Sequence, residues 1–536
     1  MLFSVGSERG LIEALTMYNY FPNQKEGVSE IPPCFSTINF TPEIAKKLHA
    51  TDAHNKRKIK GFDQVNYSIT RHNNVPRNLG LIHPYAYSKL ACHIYDNWDY
   101  LQSTMQSNQS VIKPTYHADG RIIVMNYESA IDKFSVDAKA SFSSRFRVHT
   151  DIANFYHSIY THSVEWAVFG YEDIKNGLKS NSNKNHWARK LDNYLAQAQR
   201  NETQGITIGP ATSNVIVELI LGRVDKFLES RGYSFRRYID DYVCYCGTHE
   251  IAQMFLRELG KKLSEYRLSL NLHKTKIVEL PEPIADAWIS ELSSFFVGFT
   301  GGESSRNLSS MEIVNYMDLA VRINKRTPDG SVLKYAVSTI LSRITPNTSP
   351  TLLDYTLNLS FHYPILIPFL EKLFSSEGID HTYYSKCINS MLVENARNRR
   401  SDGMCWLLYI MKKYSIKIDS QSYSEVLISE DCLAILSLYK LNLFSSHIID
   451  FCNNLFCKND YIKDQYWILL YQLYIDGEIG NPFSDNVFEV LRSYDVDFMP
   501  ESSKFTKAQS FCNQLSNPFL DDPQRVFDFD EYMKIF

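Results

Sequence analysis

Hydrophobic and polar positions alternate from Tyr67 to Pro84 on either side of Asn73-Asn74, the pattern of a β-hairpin. A helix is predicted from Tyr85 to about Leu101. Residues 102–150 are polar and hold Pro114, Gly120 and Arg121, so loops and one or two strands are expected there. A short β-like segment then ends at Asp151, and Phe155, Tyr156 and Ile159 follow at helix-like spacing. Behind a polar insertion around Lys175 to Lys190 come a helix-like stretch, a glycine-bearing loop from Gln204 to Asn214, and an apolar-periodic helix from Val215 to Leu228. Phe235 to Cys246, FRRYIDDYVCYC, sets two adjacent acids inside an aromatic and β-branched run, which favours strand. Ile251 to Leu268 reads as an amphipathic helix, and the LSLNLHKTKI that it delivers places Lys274 and Lys276 on a predicted strand. From about Asn307 the pattern becomes a succession of helices, for example Met311 to Asn324, Val332 to Ile344 and Asp402 to Tyr414. Stacked helical pairs are expected, although no clean repeat period is present. Residues 1–40, with Pro22, Pro32 and Pro33, predict no continuous regular structure.

The acids change this picture. Asp240 and Asp241 repel each other, and carboxylates near a buried strand cost several kcal/mol unless a cation or a donor compensates them. A divalent metal answers that need, while a plain hairpin turn is the structural alternative. Asp151, where a strand gives way to a turn, can face the same cleft or cap a helix. Three such carboxylates suit two-metal phosphoryl transfer. Gly205 and Gly209 permit close approach of the backbone to a flat or charged ligand. Arg77 on the second hairpin strand can clamp a triphosphate through its planar fork or form a surface ion pair.

Composition is that of a globular protein, with 44% hydrophobic and 22% charged residues over 536 positions, enough for two to four domains. The 10 cysteines show neither zinc-site spacing nor a disulfide framework. The start, MLFSVGSERG, lacks a signal pattern, and the apolar runs are shorter than a membrane span. A soluble, cytoplasmic protein with no membrane association is expected. Basic residues number 17 against 13 acidic in 1–150, 28 against 27 in 151–400 and 11 against 20 in 401–536. A polyanion is therefore expected on the first half. Lys56-Arg57-Lys58 and Lys60 can touch phosphate or form a solvated face.

The order Asp151 with Phe155-Tyr156, Gln204-Gly205, Tyr238-Ile239-Asp240-Asp241, then Leu270 to Thr275 resembles the palm motifs of reverse transcriptases, and Arg77 with Pro84 resembles their fingers motif. The stretches FYHSIYTHSVEWA, GITIGPATSNVIVE and EIPPCFSTINF are similar to those of the abortive-infection (AbiK-like) and related phage-defence reverse transcriptases. The resemblance implies an α+β fold: an N-terminal extension (1–64), right-hand polymerase fingers and palm (65–300), and an all-α helical-repeat domain (301–536). It implies that Asp151, Asp240 and Asp241 bind two Mg²⁺ ions, with Mn²⁺ as a substitute. Tyr156 would exclude the ribose 2′-hydroxyl, Gln204 and Gly205 would line the incoming deoxynucleotide, Arg77 would contact its phosphates, and Lys274 would protonate the leaving group. Family members are associated with oligomer formation and with DNA synthesis that needs no conventional template and starts from a protein hydroxyl, leaving DNA attached to the protein. None of the 34 tyrosines is singled out as that primer. Two other readings are a templated reverse transcriptase with a dedicated noncoding RNA and an inactive nucleic-acid-binding module.

Overall fold

The computed structural model describes residues 8–22, 30–71, 74–105, 107–112, 114, 122, 137–177, 186–283, 286–297, 306–328, 331–441 and 445–500. The expected hairpin is present: β1 (Gln64–Thr70) pairs antiparallel with β2 (Pro76–Ile82), placing Arg77 opposite Ile69. The Asn73-Asn74 turn lies partly outside the described residues, and Asn74 has φ +55°. Pro84 then opens α1 (Pro84–Asp96), where its missing N–H costs nothing, and the His83 ring accepts from the Tyr85 N–H. The single helix predicted to Leu101 is two, because the chain turns at Asn97 before α2 (Trp98–Met105).

The second sheet carries the acids. β3 (Phe146–Asp151), β4 (Ser234–Tyr238), β5 (Asp241–Cys246) and β6 (Lys276–Glu279) lie in the order β4-β5-β3-β6, and every pairing is antiparallel. Behind it stand α3 (Ala211–Ser230) and α4 (His249–Glu265). α3 is buried along most of its length, from Ala211 to Leu228, so its apolar run is core on more than one face. A Cβ at Gly222 would lie 3.1 Å from the Met105 carbonyl oxygen, so glycine lets α2 approach α3. Lys276 begins β6, whereas Lys274 lies in the turn before it and not on a strand as expected. The Asn271 side chain competes for the backbone there by accepting from the His273 N–H.

After β6 the described residues form helices and no further strand. The predicted helices correspond to α5 (Ser310–Arg326), α6 (Ser331–Leu341) and α7 (Ser401–Lys413). Ser309 and Glu312 form a reciprocal capping box on α5. No helix is long and apolar enough to cross a membrane among the described residues.

The two halves share one core, which runs from Leu11 to Met499. The first 40 residues are more regular than expected, with a helix at Glu8–Glu13 that continues as a π-turn over Ala14–Tyr18. Phe21 packs against Trp467 and Phe498, and the Trp467 indole donates to the Leu81 carbonyl at 3.1 Å. The free edge of β1 is covered by the start of α7: the Ser68 N–H donates to Ser401 Oγ at 3.0 Å and the Thr70 N–H to Asp402 Oδ2 at 2.7 Å.

Arg57 is not the phosphate contact that its basic run suggested. It is buried, donates at 3.0 and 2.7 Å to both carboxylate oxygens of Asp464, and lies over the Phe62 ring. Lys58 and Lys60 are exposed. Arg57→Ala leaves Asp464 buried without its cation, so it should cost about 3–5 kcal/mol in urea denaturation. Lys58→Ala should stay within about 0.5 kcal/mol of the parent. Equal effects of the two substitutions would contradict the buried pair.

Candidate active site

Sheet register assembles the three aspartates from distant parts of the chain. Asp151, the last residue of β3, lies opposite Asp241, the first of β5. Asp240 sits in the turn that joins β4 to β5, since Tyr238 pairs with Asp241. Ile239 takes φ +56° in that turn. A β-branched residue there costs roughly 1–2 kcal/mol, and strain of this kind persists where the surroundings impose it. The Ile239 carbonyl accepts from Arg237 Nη1 at 2.8 Å. Asp151 is anchored on its other side by the Asn271 N–H, which donates to the Asp151 carbonyl at 2.7 Å, and by the neighbouring Ala153 N–H on Ser269.

Charge accumulates at this corner. Burial, followed by the charges of Asp151 and Asp241, pushes the Asp240 carboxyl up to about 7. Burial and Asp151 also raise Asp241, against the lowering influence of His149 and Lys274. Asp151 is 5% exposed, and its Oδ1 has no donor among the described residues. Its Oδ2 accepts from the Lys274 ammonium. Burial lowers Lys274, but the Asp151 hydrogen bond and the charges of Asp151, Asp241 and Asp240 outweigh it and raise it overall. Lys274 is therefore protonated and held at the acids.

The donor set fits a hard divalent cation: three carboxylates, one orphaned oxygen and mutual repulsion that a cation would relieve. Among the described residues no three His, Cys, Asp or Glu side chains form a ready metal cage.

The other candidates surround this corner. Tyr156 lies on a one-turn helix, Phe155–Ser158, entered through Asn154 at φ +45°. Its ring is buried, and its hydroxyl donates to Asn214 Oδ1 on α3 at 2.6 Å. Burial, then Asp240, raises the phenol well above its usual range, and Arg77 opposes the shift. Asp240 and Arg77 thus both act on the same ring. Gln204 pairs with Tyr160 as an isolated bridge, and its side chain is exposed. The Gly205 N–H donates to the Ile159 carbonyl at 2.7 Å and the Ile206 N–H to the Tyr156 carbonyl at 2.9 Å, which straps the glycine loop to the Tyr156 segment. Gly205 has φ +91°, a conformation that side chains disfavour.

Sequence reasoning missed Arg71 and the partners of Arg237. Arg71, the residue after β1, is exposed; partial desolvation and then Arg77 lower it, while the charges of Asp240 and Asp151 oppose the shift. Two arginines of one hairpin, Arg71 and Arg77, thus lie near enough to repel each other. The signal was a second basic residue six positions before Arg77. Arg237 binds Glu218 and Asp225, acids isolated within the apolar VIVELILGRVDKF run.

Residues 83–313 match the family model described as reverse transcriptase (RNA-dependent DNA polymerase). This segment, less than half of the chain, is similar to the reverse transcriptase domain, a nucleotidyltransferase family. It includes Asp151, Tyr156, Gln204, Gly205, Asp240, Asp241 and Lys274 and begins after Arg77. No curated protein matches the chain. Similar solved structures include apo telomerase from Candida tropicalis, at 11% identity over 73% of this chain and 69% of that one, with TM-score 0.30. Telomerase from Candida albicans in complex with a fragment of telomeric RNA is similar at 10% identity over 62% and 68%, with TM-score 0.26.

The raised Asp240 carboxyl gives a pH signature to the cation-free protein. An unfolded aspartate ionises near ~3.9, so between about pH 4 and 7 the folded chain keeps a proton that the unfolded chain has released. Stability from this group is present below that window and is lost as pH rises through it. Asp240→Asn should flatten this slope and raise the melting midpoint at pH 8 by about 2–4 °C, read by thermal unfolding in EDTA. A lower midpoint with an unchanged slope would contradict the charge crowding.

Proposed function

We propose that this chain is a phage-defence DNA polymerase of reverse transcriptase type that adds deoxynucleotides by two-metal phosphoryl transfer. In this reading it needs no conventional template, starts from a protein hydroxyl and leaves the DNA attached. The observation that carries the polymerase reading is the corner where Asp151 faces Asp241 across the ladder and Asp240 occupies the adjoining turn. It lies within the segment that matches the reverse transcriptase model. Defence, protein priming and oligomer formation rest on the motif resemblance alone. So does the interpretation of the helical half as a repeat domain in place of a thumb, and that domain would grip a template-primer duplex less firmly.

In this mechanism Asp151, Asp240 and Asp241 would hold two Mg²⁺ ions, with Mn²⁺ able to replace them, and these would supply Lewis-acid stabilisation of the phosphoryl transfer. Arg77 and Arg71 bind the triphosphate, Arg77 through its fork. Gln204 and Gly205 would line the nucleotide, and the Tyr156 ring, fixed by Asn214, would exclude a ribose 2′-hydroxyl. Lys274, already protonated, donates its proton to the leaving pyrophosphate.

The test is incubation of nuclease-treated protein with Mg²⁺ and each labelled nucleotide, followed by a denaturing gel. Label should stay on the protein band and vanish in Asp240→Ala. Label that appears after RNA is added, and not before, would favour a templated enzyme. No incorporation under any condition would overturn the polymerase reading. Tyr156→Ala should raise ribonucleotide use relative to deoxynucleotide use by ~10-fold or more, and an unchanged ratio would remove the gate role.

A further inference from the structure

α3 is apolar along most of its length, yet it presents Asn214, Glu218 and Asp225 toward the candidate site. The offsets of four and eleven residues bring these three to one face of the helix. Each is bound by a residue next to the catalytic corner. Tyr156 donates to Asn214. Arg237, wholly buried at 0% exposure, donates Nη1 and Nη2 to the Glu218 oxygens at 2.8 and 3.1 Å. Its Nε donates to Asp225 at 2.9 Å and its Nη2 at 2.8 Å. Tyr242 and Ser107 give their hydroxyl protons to Asp225 at 3.1 and 2.7 Å. Nη1 also donates to the Ile239 carbonyl, in the turn ahead of Asp240.

The guanidinium fork is therefore clamped by a rigid helix on one side and grips the strained turn on the other. We propose that Arg237 is a positioning residue: fixed by Glu218 and Asp225, it holds the Ile239 carbonyl and thereby aims Asp240 and Asp241 at the reacting phosphate, so that α3 sets both the catalytic turn and the Tyr156 ring. The inference rests on the polymerase reading of the three aspartates. Arg237 acts through the turn and touches no substrate.

Removal of Arg237 alone strands two buried acids, so the decisive variant is neutral: Arg237→Met with Glu218→Gln and Asp225→Asn. Whole buried ion clusters can be replaced with little loss of stability. Thermal unfolding, kcat, nucleotide KM and Mn²⁺ affinity by electron paramagnetic resonance are measured beside wild type and Arg237→Lys. The neutral variant should melt near wild type, lose about ten- to a hundredfold in kcat, keep KM within about twofold and bind Mn²⁺ more weakly. Arg237→Lys retains the charge but lacks the fork, and should show the same split between kcat and KM. If the neutral variant does not fold, Arg237→Lys decides. Wild-type kcat and Mn²⁺ affinity in a folded variant would overturn the positioning role. A wild type that incorporates no nucleotide overturns the polymerase reading instead, and the Mn²⁺ affinities then still decide whether Arg237 shapes the acidic corner.

Discussion

A single guanidinium set against two buried carboxylates is the constraint on which this site depends. Arg237, Glu218 and Asp225 lie outside water, where each charge is tolerated only because the others are placed to within hydrogen-bonding distance. The cluster joins β4 to α3 and fixes the β4–β5 turn through the Ile239 carbonyl. Its remaining donors, Ser107 and Tyr242, come from the loop after α2 and from β5. Loosening any of these elements would expose an unpaired charge, so the β4–β5 turn shares the rigidity of this cluster. The acids of the corner itself show the opposite condition. They repel one another, have one ammonium at hand, and leave an oxygen unpaired.

The β1–β2 hairpin belongs to the same rigid unit. Gly80 donates to Ile208 at 3.0 Å, and Thr207 to Gln64 at 2.6 Å, which ties the hairpin to the glycine loop. On the opposite edge of β1, Ser401 and Asp402 accept from backbone N–H groups. The helical half thus completes the hydrogen bonding of this hairpin and joins the same core. Its acidic composition fits this role, because several of its carboxylates are spent on internal pairs such as Arg57–Asp464.

Much of this was legible along the sequence because it is local. Period-two alternation located β1 and β2, and the tyrosine-flanked Asp240-Asp241 announced a strand junction. Asp151 ends its strand as its pattern indicated. What escaped were pairings across long separations. Arg237 has no role in the sequence pattern until α3 supplies Glu218 and Asp225. Arg57 reads as part of a solvated or phosphate-contacting basic run until Asp464 arrives from 407 positions away. Glu218 and Asp225 hardly disturb an apolar run, and nothing local distinguishes a buried acid with a partner from an exposed one. Lys274 was assigned to a strand because alternation continued through it, but a side-chain bond to the backbone made a turn instead.

The central claim is that Asp151, Asp240 and Asp241 are a cation-dependent nucleotidyl-transfer centre. The most direct measurement is a crystal structure with Mg²⁺ and a non-hydrolysable deoxynucleoside triphosphate. The account predicts cations against Asp151 and Asp240, the triphosphate beside Arg71 and Arg77, and Lys274 moved from Asp151 to the phosphate. A triphosphate bound elsewhere, with the Lys274–Asp151 pair intact and no cation at the acids, would contradict it.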